Sequence, residues 1–134
     1  MTEYRTTRRV EFADTDMARI MHFARFFNFM EEVEHEFLRS LGLSVMMDFD
    51  AIHVGFPRVA ASCDFFKPLK FEDVVDVTLQ IERLGSKSIT YAIAFSKDGV
   101  AVARGTLTTC CVRVDPDGAF HAIAIPDKIR EKLA

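Results

Sequence analysis

Hydrophobic and polar residues follow two rhythms along the chain, and the change comes at Pro57. Before it lies the one long helical pattern. Phe23, Phe26, Phe27, Met30, Val33, Phe37, Leu38 and Leu41 recur at steps of three and four, which places them on one helix face. The opposite face carries Glu31, Glu32, Glu34, His35, Glu36 and Arg39 and reads as solvated. Gly42 suits the C-terminal cap. At 1.5 Å per residue the span from Phe23 to Leu41 is about 28 Å long. Ahead of the helix, Arg5 to Phe12 predicts a strand with Val10 and Phe12 on one side, and the polar loop Asp14-Thr15-Asp16 follows. Ser44 to Phe56 reads as irregular.

From Pro57 onward the period is two. Val59, Ala61, Cys63 and Phe65 alternate with their neighbours, as do Val75, Val77, Leu79 and Ile81, and then Ile89, Tyr91, Ile93 and Phe95. Gly85-Ser86 and Lys97-Asp98-Gly99 are turns, and Val100 to Val114 predicts one long strand. Asp115-Pro116-Asp117-Gly118 is a strong turn signal. A short strand, Ala119 to Ala124, precedes Pro126, which suits the first turn of a short helix. Turns this short forbid parallel crossovers, and the apolar helix must bury its stripe on one sheet face. The pattern predicts an α+β fold, an antiparallel sheet of four or five strands wrapped around one long central helix.

Composition narrows the class. A chain of 134 residues with no repeat or linker is expected to be a single domain over 1–134. With 49% hydrophobic and 28% charged residues it is not a disordered protein. A net charge of −3 with no basic stripe argues against a nucleic-acid partner. No apolar run nears the ~18 residues that span a bilayer, and the polar, basic run Met1 to Arg9 leads into no signal-peptide core. The expected location is the cytoplasm, with no membrane partner. Three cysteines, with Cys110 and Cys111 adjacent, make neither a disulfide framework nor a zinc spacing. Glu32-Val33-Glu34-His35 has the Glu-x-x-His spacing of di-iron bundles, but such sites need a second copy on another helix. No metal and no cofactor are expected. There is no Gly-x-Ser-x-Gly elbow and no phosphate-cradling glycine loop. Aromatic content is 13 Phe against two Tyr and no Trp. Phe buries area without needing a hydrogen-bond partner, so a dry interior or an apolar pocket is expected.

Asp16 leads the candidate chemistry, six residues ahead of the expected first helical turn. A helix N-terminus offers unpaired N–H groups and a positive dipole end. A carboxylate and an oxyanion-stabilising donor can therefore meet one carbonyl there. From the spacing alone, a solvated loop aspartate in an Asx turn fits as well. Asp14 reads as a loop-ordering acceptor. His22 could donate to a substrate, orient Asp16 or bond the loop backbone. Glu31, about two turns into the helix, could position water or lie on the solvated face. Lys67, Lys70, Lys87, Arg58 and Arg104 could meet phosphates or be ordinary surface charge. Phe23, Phe26 and Phe27 are placed to line an apolar pocket.

Several stretches resemble a known family. Phe12-Ala13-Asp14-Thr15-Asp16, then Ile20-Met21-His22-Phe23 and Phe26-Phe27-Asn28-Phe29-Met30-Glu31, are similar to the start of hotdog-fold acyl-CoA thioesterases of the 4-hydroxybenzoyl-CoA thioesterase-like family. Asp64 to Leu69, Gly85-Ser86-Lys87-Ser88 and Ile125-Pro126 continue the resemblance over essentially the whole chain. The resemblance implies a hotdog fold and two subunits joining sheets edge to edge, as a homodimer or a tetramer of paired dimers. It implies hydrolysis of an acyl-CoA thioester to free acid and coenzyme A without metal or cofactor. It places the catalytic aspartate on Asp16, the carbonyl-polarising backbone N–H on Phe23 and the helix carboxylate on Glu31. This chain departs from the family in two places. Arg19 stands where Gly is common, and His22 comes one residue before the position at which many relatives carry a histidine. Arg19, Phe26, Phe27, Lys87 and Ser88 are the expected substrate-binding residues. Two alternatives stay open: a hydrolase acting on acyl or polyketide chains held by a carrier protein, and a non-catalytic acyl-CoA-binding module. Asp16 argues against the second, because binding an anionic ligand does not call for a nearby carboxylate.

Overall fold

The computed structural model describes residues 3–134; Met1 and Thr2, the start of the basic N-terminal run, lie outside the described residues. In chain order the elements are β1 (Glu3–Arg9), α1 (Phe23–Ser40), β2 (Met46–Phe49), β3 (Ile52–Gly55), β4 (Arg58–Phe65), β5 (Val74–Leu84), β6 (Ser88–Lys97), β7 (Val100–Cys110), β8 (Val112–Val114), β9 (Phe120–Ala122) and α2 (Asp127–Leu133). Among the described residues, five strands make an antiparallel sheet in the order β1-β5-β6-β7-β4, and four make a second in the order β2-β3-β8-β9.

The two rhythms of the sequence meet in one core. Val75, Val77, Leu79 and Ile81 of β5 and Ile89, Tyr91, Ile93 and Phe95 of β6 are all buried. They pack against the stripe of α1 made by Phe26, Phe29, Met30, Val33, Phe37 and Leu38. Phe26 meets Phe95 edge-on at 5.3 Å, and Phe37 meets Tyr91 at 6.2 Å, so α1 runs across the sheet with its start over the end of β6. Gly42, at φ +74°, closes the helix: its N–H reaches the Arg39 carbonyl and that of Leu43 reaches Leu38. The Lys132 ammonium on α2 caps the Leu41 carbonyl at 3.1 Å, where a cation opposes the negative end of the helix dipole.

Four expectations need correction. Phe12 does not join a strand. Asp14 accepts the Glu11 N–H through its carboxylate and returns its own N–H to the Glu11 carbonyl, closing a 3₁₀ turn over Phe12–Asp14 that leaves Phe12 75% exposed. Ser44 to Phe56 is not irregular but holds the β2–β3 hairpin, whose two-residue turn puts Asp50 (φ 48°) and Ala51 (φ 66°) in the left-handed region. That turn ordinarily carries Asn-Gly or Asp-Gly; Asp50 fits its first position, but Ala51 stands where Gly is the signal, so the sequence marks it only by half. The long strand from Val100 to Val114 is broken at Cys111, whose N–H bonds the Lys87 carbonyl while the chain passes from one sheet to the other. Glu34 is not on a solvated face: it is 0% exposed.

Among the described residues β4 is an edge strand of the large sheet, paired only with β7. Its apolar alternation does not end in the core, because Val59 is 65% exposed and Phe65 is also exposed. Cys63 on this strand and Cys111 beyond β7 are weakly acidic thiols: burial pushes each up to about 11. Neither is a ready nucleophile.

Candidate active site

Asp14 organises the loop that enters α1. Its side chain is almost fully buried. Oδ2 accepts the Glu11 N–H at 2.8 Å, Oδ1 accepts Arg25 Nε at 2.9 Å, and the Asp14 carbonyl accepts the His22 N–H at 2.8 Å. One residue thus ties the preceding turn to the first turn of the helix. Asp14→Ala is expected to lower stability by about 1–3 kcal/mol, since it removes a buried carboxylate that holds the part-buried Glu11 N–H and a half-exposed guanidinium. A thermal melt checks this, and an unchanged Tm would remove Asp14 from that role.

Asp16 sits on the same loop, two residues on. Its N–H bonds the Ile20 carbonyl at 3.1 Å and its carbonyl takes the Arg19 N–H at 2.9 Å, so the loop closes on itself. Arg19 lies in that closure at φ 65°, a conformation that favours Gly. The Asp16 carboxylate is held at both oxygens: Oδ1 accepts the Ala18 N–H at 2.9 Å and Oδ2 lies 3.2 Å from His22 Nδ1. His22 immediately precedes α1 and Phe23 is its first residue. An N–H at that position has no carbonyl one turn back to receive it, and the Phe23 N–H bonds no other acceptor among the described residues.

The carboxylate opens on a cavity of about 470 Å³ lined by Ile20, Met21, Phe23, Phe26, Phe65, Phe66, Lys67 and Pro68. Phe65 is its aromatic wall, edge-on to Phe26 at 5.1 Å and to Phe23 at 6.3 Å. The Met21 N–H bonds the Leu69 carbonyl at 2.7 Å and fixes the Asp16 loop against the segment that follows β4. Sequence reasoning missed Phe65 and Phe66 as lining. The available signal was a pair of adjacent aromatics that breaks the alternation just before Pro68. A second cleft of about 540 Å³ lies on the other side of the loop, and Asp16 borders both. A further recess on the small sheet holds His53 and Arg113, but both side chains already have partners, His53 in Asp48 at 2.6 Å and Arg113 in Asp115 at 3.2 Å.

Not every expected site residue gathers here. Asp16, His22, Phe23 and Phe26 come together, with Arg19 on the loop's outer side. Phe27 and Glu31 do not reach this cavity. They border a separate recess of about 190 Å³ beside Arg58, whose Nη1 lies 3.1 Å from Glu31 Oε2. Lys87 and Ser88 are at the opposite end of β6 from Phe95, about 23 Å away at the rise of a strand. The reason is directional: β6 runs away from them toward the Asp16 end of the molecule.

Arg58 also binds buried Glu34 through Nη2 and meets His35 Nε2 at 3.2 Å. Burial raises the Glu34 carboxyl above its ordinary range, and Arg58 partly opposes this. Burial and then the Arg58 charge lower the His35 imidazole, so its Nε2 is free to accept from the guanidinium. His35 therefore serves an ion-pair cluster.

A carboxylate beside an imidazole and an unpaired helix N–H, facing an aromatic cavity, can activate water against a carbonyl or attack it directly. Residues 10–133 match the model of the thioesterase-like superfamily. The chain belongs to that superfamily. This thioesterase is 34% identical to a putative esterase of Aquifex aeolicus over 94% of each chain. It is 30% identical to a 1,4-dihydroxy-2-naphthoyl-CoA hydrolase of Thermosynechococcus vestitus, over 91% of this chain and 82% of that one. Among solved structures it superposes on a gentisyl-coenzyme A thioesterase with a TM-score of 0.83 and 31% identity, covering 98% of this chain and 100% of the other. Like them, the thioesterase is an α+β protein whose chemistry is thioester hydrolysis.

Proposed function

We propose that this thioesterase hydrolyses acyl-CoA thioesters with flat, apolar or aromatic acyl groups, on a hotdog fold with α1 as the central helix. The observation that carries the reading is the meeting of the Asp16 carboxylate and the unpaired Phe23 N–H at one aromatic-walled cavity of about 470 Å³. A volume of that order suits a small ligand. Relatives that act on dihydroxynaphthoyl-CoA and gentisyl-coenzyme A support the aromatic coenzyme A class.

The thioester carbonyl oxygen points at the Phe23 N–H and the positive end of α1, where charge develops as the carbon becomes tetrahedral. In the base form of the mechanism, Asp16 takes a proton from water as its oxygen bonds the carbonyl carbon. The C–S bond then breaks, and the proton passes to the leaving sulfur. In the nucleophile form, Asp16 bonds the carbon itself, expels the thiolate and is released by water attacking the resulting anhydride. His22 Nδ1, 3.2 Å from Asp16 Oδ2, holds the carboxylate in place. Phe23 and Phe26 receive the acyl group.

The working form is a two-fold dimer. β4 carries an unpaired edge with exposed Val59 and ends at Phe65, a wall of the cavity. An exposed edge is a pairing surface, and joining two such edges puts the sites at the subunit boundary. Phe27, Glu31, Lys87 and Ser88, remote from Asp16 within one chain, keep a substrate role only across that boundary. Light scattering is expected to give a dimer at micromolar concentration, and a monomer there would overturn the arrangement. Among the described residues no helix is long and apolar enough to cross a membrane, and three free cysteines suit a reducing cytoplasm.

The test of substrate is thiol release from a panel of aromatic and aliphatic acyl-CoAs, followed with a thiol reagent. Aromatic thioesters are expected to turn over fastest. Cleavage of carrier-protein thioesters with no release from any acyl-CoA would shift the reading to the carrier-bound substrates.

A further inference from the structure

The cleft outside the Asp16 loop has no part in the chemistry so far. Phe12 and Phe71 form its floor, edge-on at 5.9 Å, and Met17 stands fully exposed at its side. Solvent-facing apolar groups gathered at one recess mark a binding surface more often than chance exposure. Arg19 stands at the same recess. Its guanidinium takes no carboxylate among the described residues. Its backbone is held at φ 65°, where a bulky residue is strained. A free cation on a strained backbone, above an apolar floor, is an arrangement for an anion carried on an apolar stem.

We infer that this cleft binds the phosphopantetheine arm of the substrate, with Phe12, Met17 and Phe71 under the arm and the Arg19 guanidinium on its phosphate. The inference rests on the reading of Asp16 as the reacting carboxylate. Asp16 borders both recesses, so a thioester centred on it has its acyl half in the aromatic cavity and its thiol half on the other side of the loop. The arm's methyls and methylenes match the floor. A guanidinium suits phosphate because its planar fork of donors meets two oxygens at once. The phosphate is common to coenzyme A and to a carrier protein's prosthetic arm, so Arg19 reads the arm and not its source.

The experiment compares thioesters of one acyl group on three thiols: pantetheine, phosphopantetheine and coenzyme A. The wild-type protein is expected to prefer the phosphopantetheine thioester over the pantetheine thioester in KM. Arg19→Gly should cut that preference roughly two- to fivefold, the size expected of one exposed charge-assisted contact. Arg19→Lys should restore part of it, and added salt should shrink it. Gly relieves the strain at this φ, so the variant keeps its fold and Tm. Calorimetric binding of free coenzyme A, phosphopantetheine and pantetheine repeats the comparison without turnover. Lack of hydrolysis with an Arg19-dependent phosphate preference in binding would sink the catalytic reading and support the cleft. A preference unchanged in Arg19→Gly would overturn the cleft. So would an effect confined to coenzyme A and absent with phosphopantetheine, which would put Arg19 on the nucleotide.

Discussion

Asp16→Asn is expected to lower turnover at least about 100-fold while KM and Tm stay close to the wild-type values. A general base contributes ~10²–10⁴-fold, and loss of a nucleophile exceeds that. The change is nearly isosteric. The amide oxygen still accepts the Ala18 N–H, and the backbone bonds to Ile20 and Arg19 do not involve the side chain. What disappears is the negative charge facing His22 and the cavity. A residue that only ordered the loop would show the opposite pattern, a lower Tm with turnover kept. His22→Ala is expected to cost less, because the proposed donor to the carbonyl is the Phe23 backbone N–H, which no side-chain change deletes. If His22→Ala abolished turnover and Asp16→Asn kept more than about a tenth of it, the imidazole would be the base.

Arg58→Met should lower stability by about 3–5 kcal/mol, the usual result of leaving a buried charge without its partner. That is a large share of the ~5–15 kcal/mol by which proteins are stable. Methionine keeps much of the stem volume, so the loss falls on Glu34, which has no exposed surface and whose Oε2 is already unpartnered among the described residues. The effect has a pH sign. Glu34 is raised above its ordinary value of 4.5 in the folded protein, and Arg58 is among the groups that hold it down. Without Arg58 it rises further. Between the ordinary value and the folded one, the folded state holds a proton that the unfolded state has lost, so stability falls as pH rises through that window. Below the window both states are protonated and the penalty vanishes. Denaturant melts should therefore show a smaller loss near pH 5 than near pH 8, and Glu34→Gln in the same background should recover much of the difference. Equal losses at both pH values, with no recovery, would mean that Arg58 acts through packing alone.

The elements with a strong single period were legible. The helix from Phe23, the strands around Val75–Ile81 and Ile89–Phe95, and the Gly42 cap all lie where their patterns put them, because each has one face that must be dry. The β2–β3 hairpin was not legible, since Ala51 takes left-handed backbone where Gly would signal the turn, and Asp50 alone is a weak mark. Phe12 was misplaced because the hydrogen bond that the Glu11 N–H donates to the Asp14 carboxylate, not the hydrophobicity of Phe12, sets its backbone. The charged helix face that reads as solvated hides Glu34. Helical periodicity records which residues share a face but not where the edge strand β4 brings Arg58 down onto it.

For the candidate site, the sequence by itself determined the ingredients: a carboxylate a short loop ahead of a helix N-terminus, followed by phenylalanines at helical spacing, and stretches that resemble thioesterases. Local spacing suffices for this because Asp16, His22 and Phe23 lie within one loop and one turn. Only the tertiary structure decided which distant residues join them. It brought Phe65, Phe66 and Lys67 to Asp16 through the Met21–Leu69 bond, set Glu31 beside Arg58 instead, and left Lys87 and Ser88 at the far end of β6. It also opened a second cleft behind the loop, where Arg19 stands in a conformation better suited to Gly. The physical reason is strand direction and register. Which end of a strand meets the helix N-terminus depends on pairings across the sheet, and those long-range pairings leave no mark on the spacing of residues along the chain.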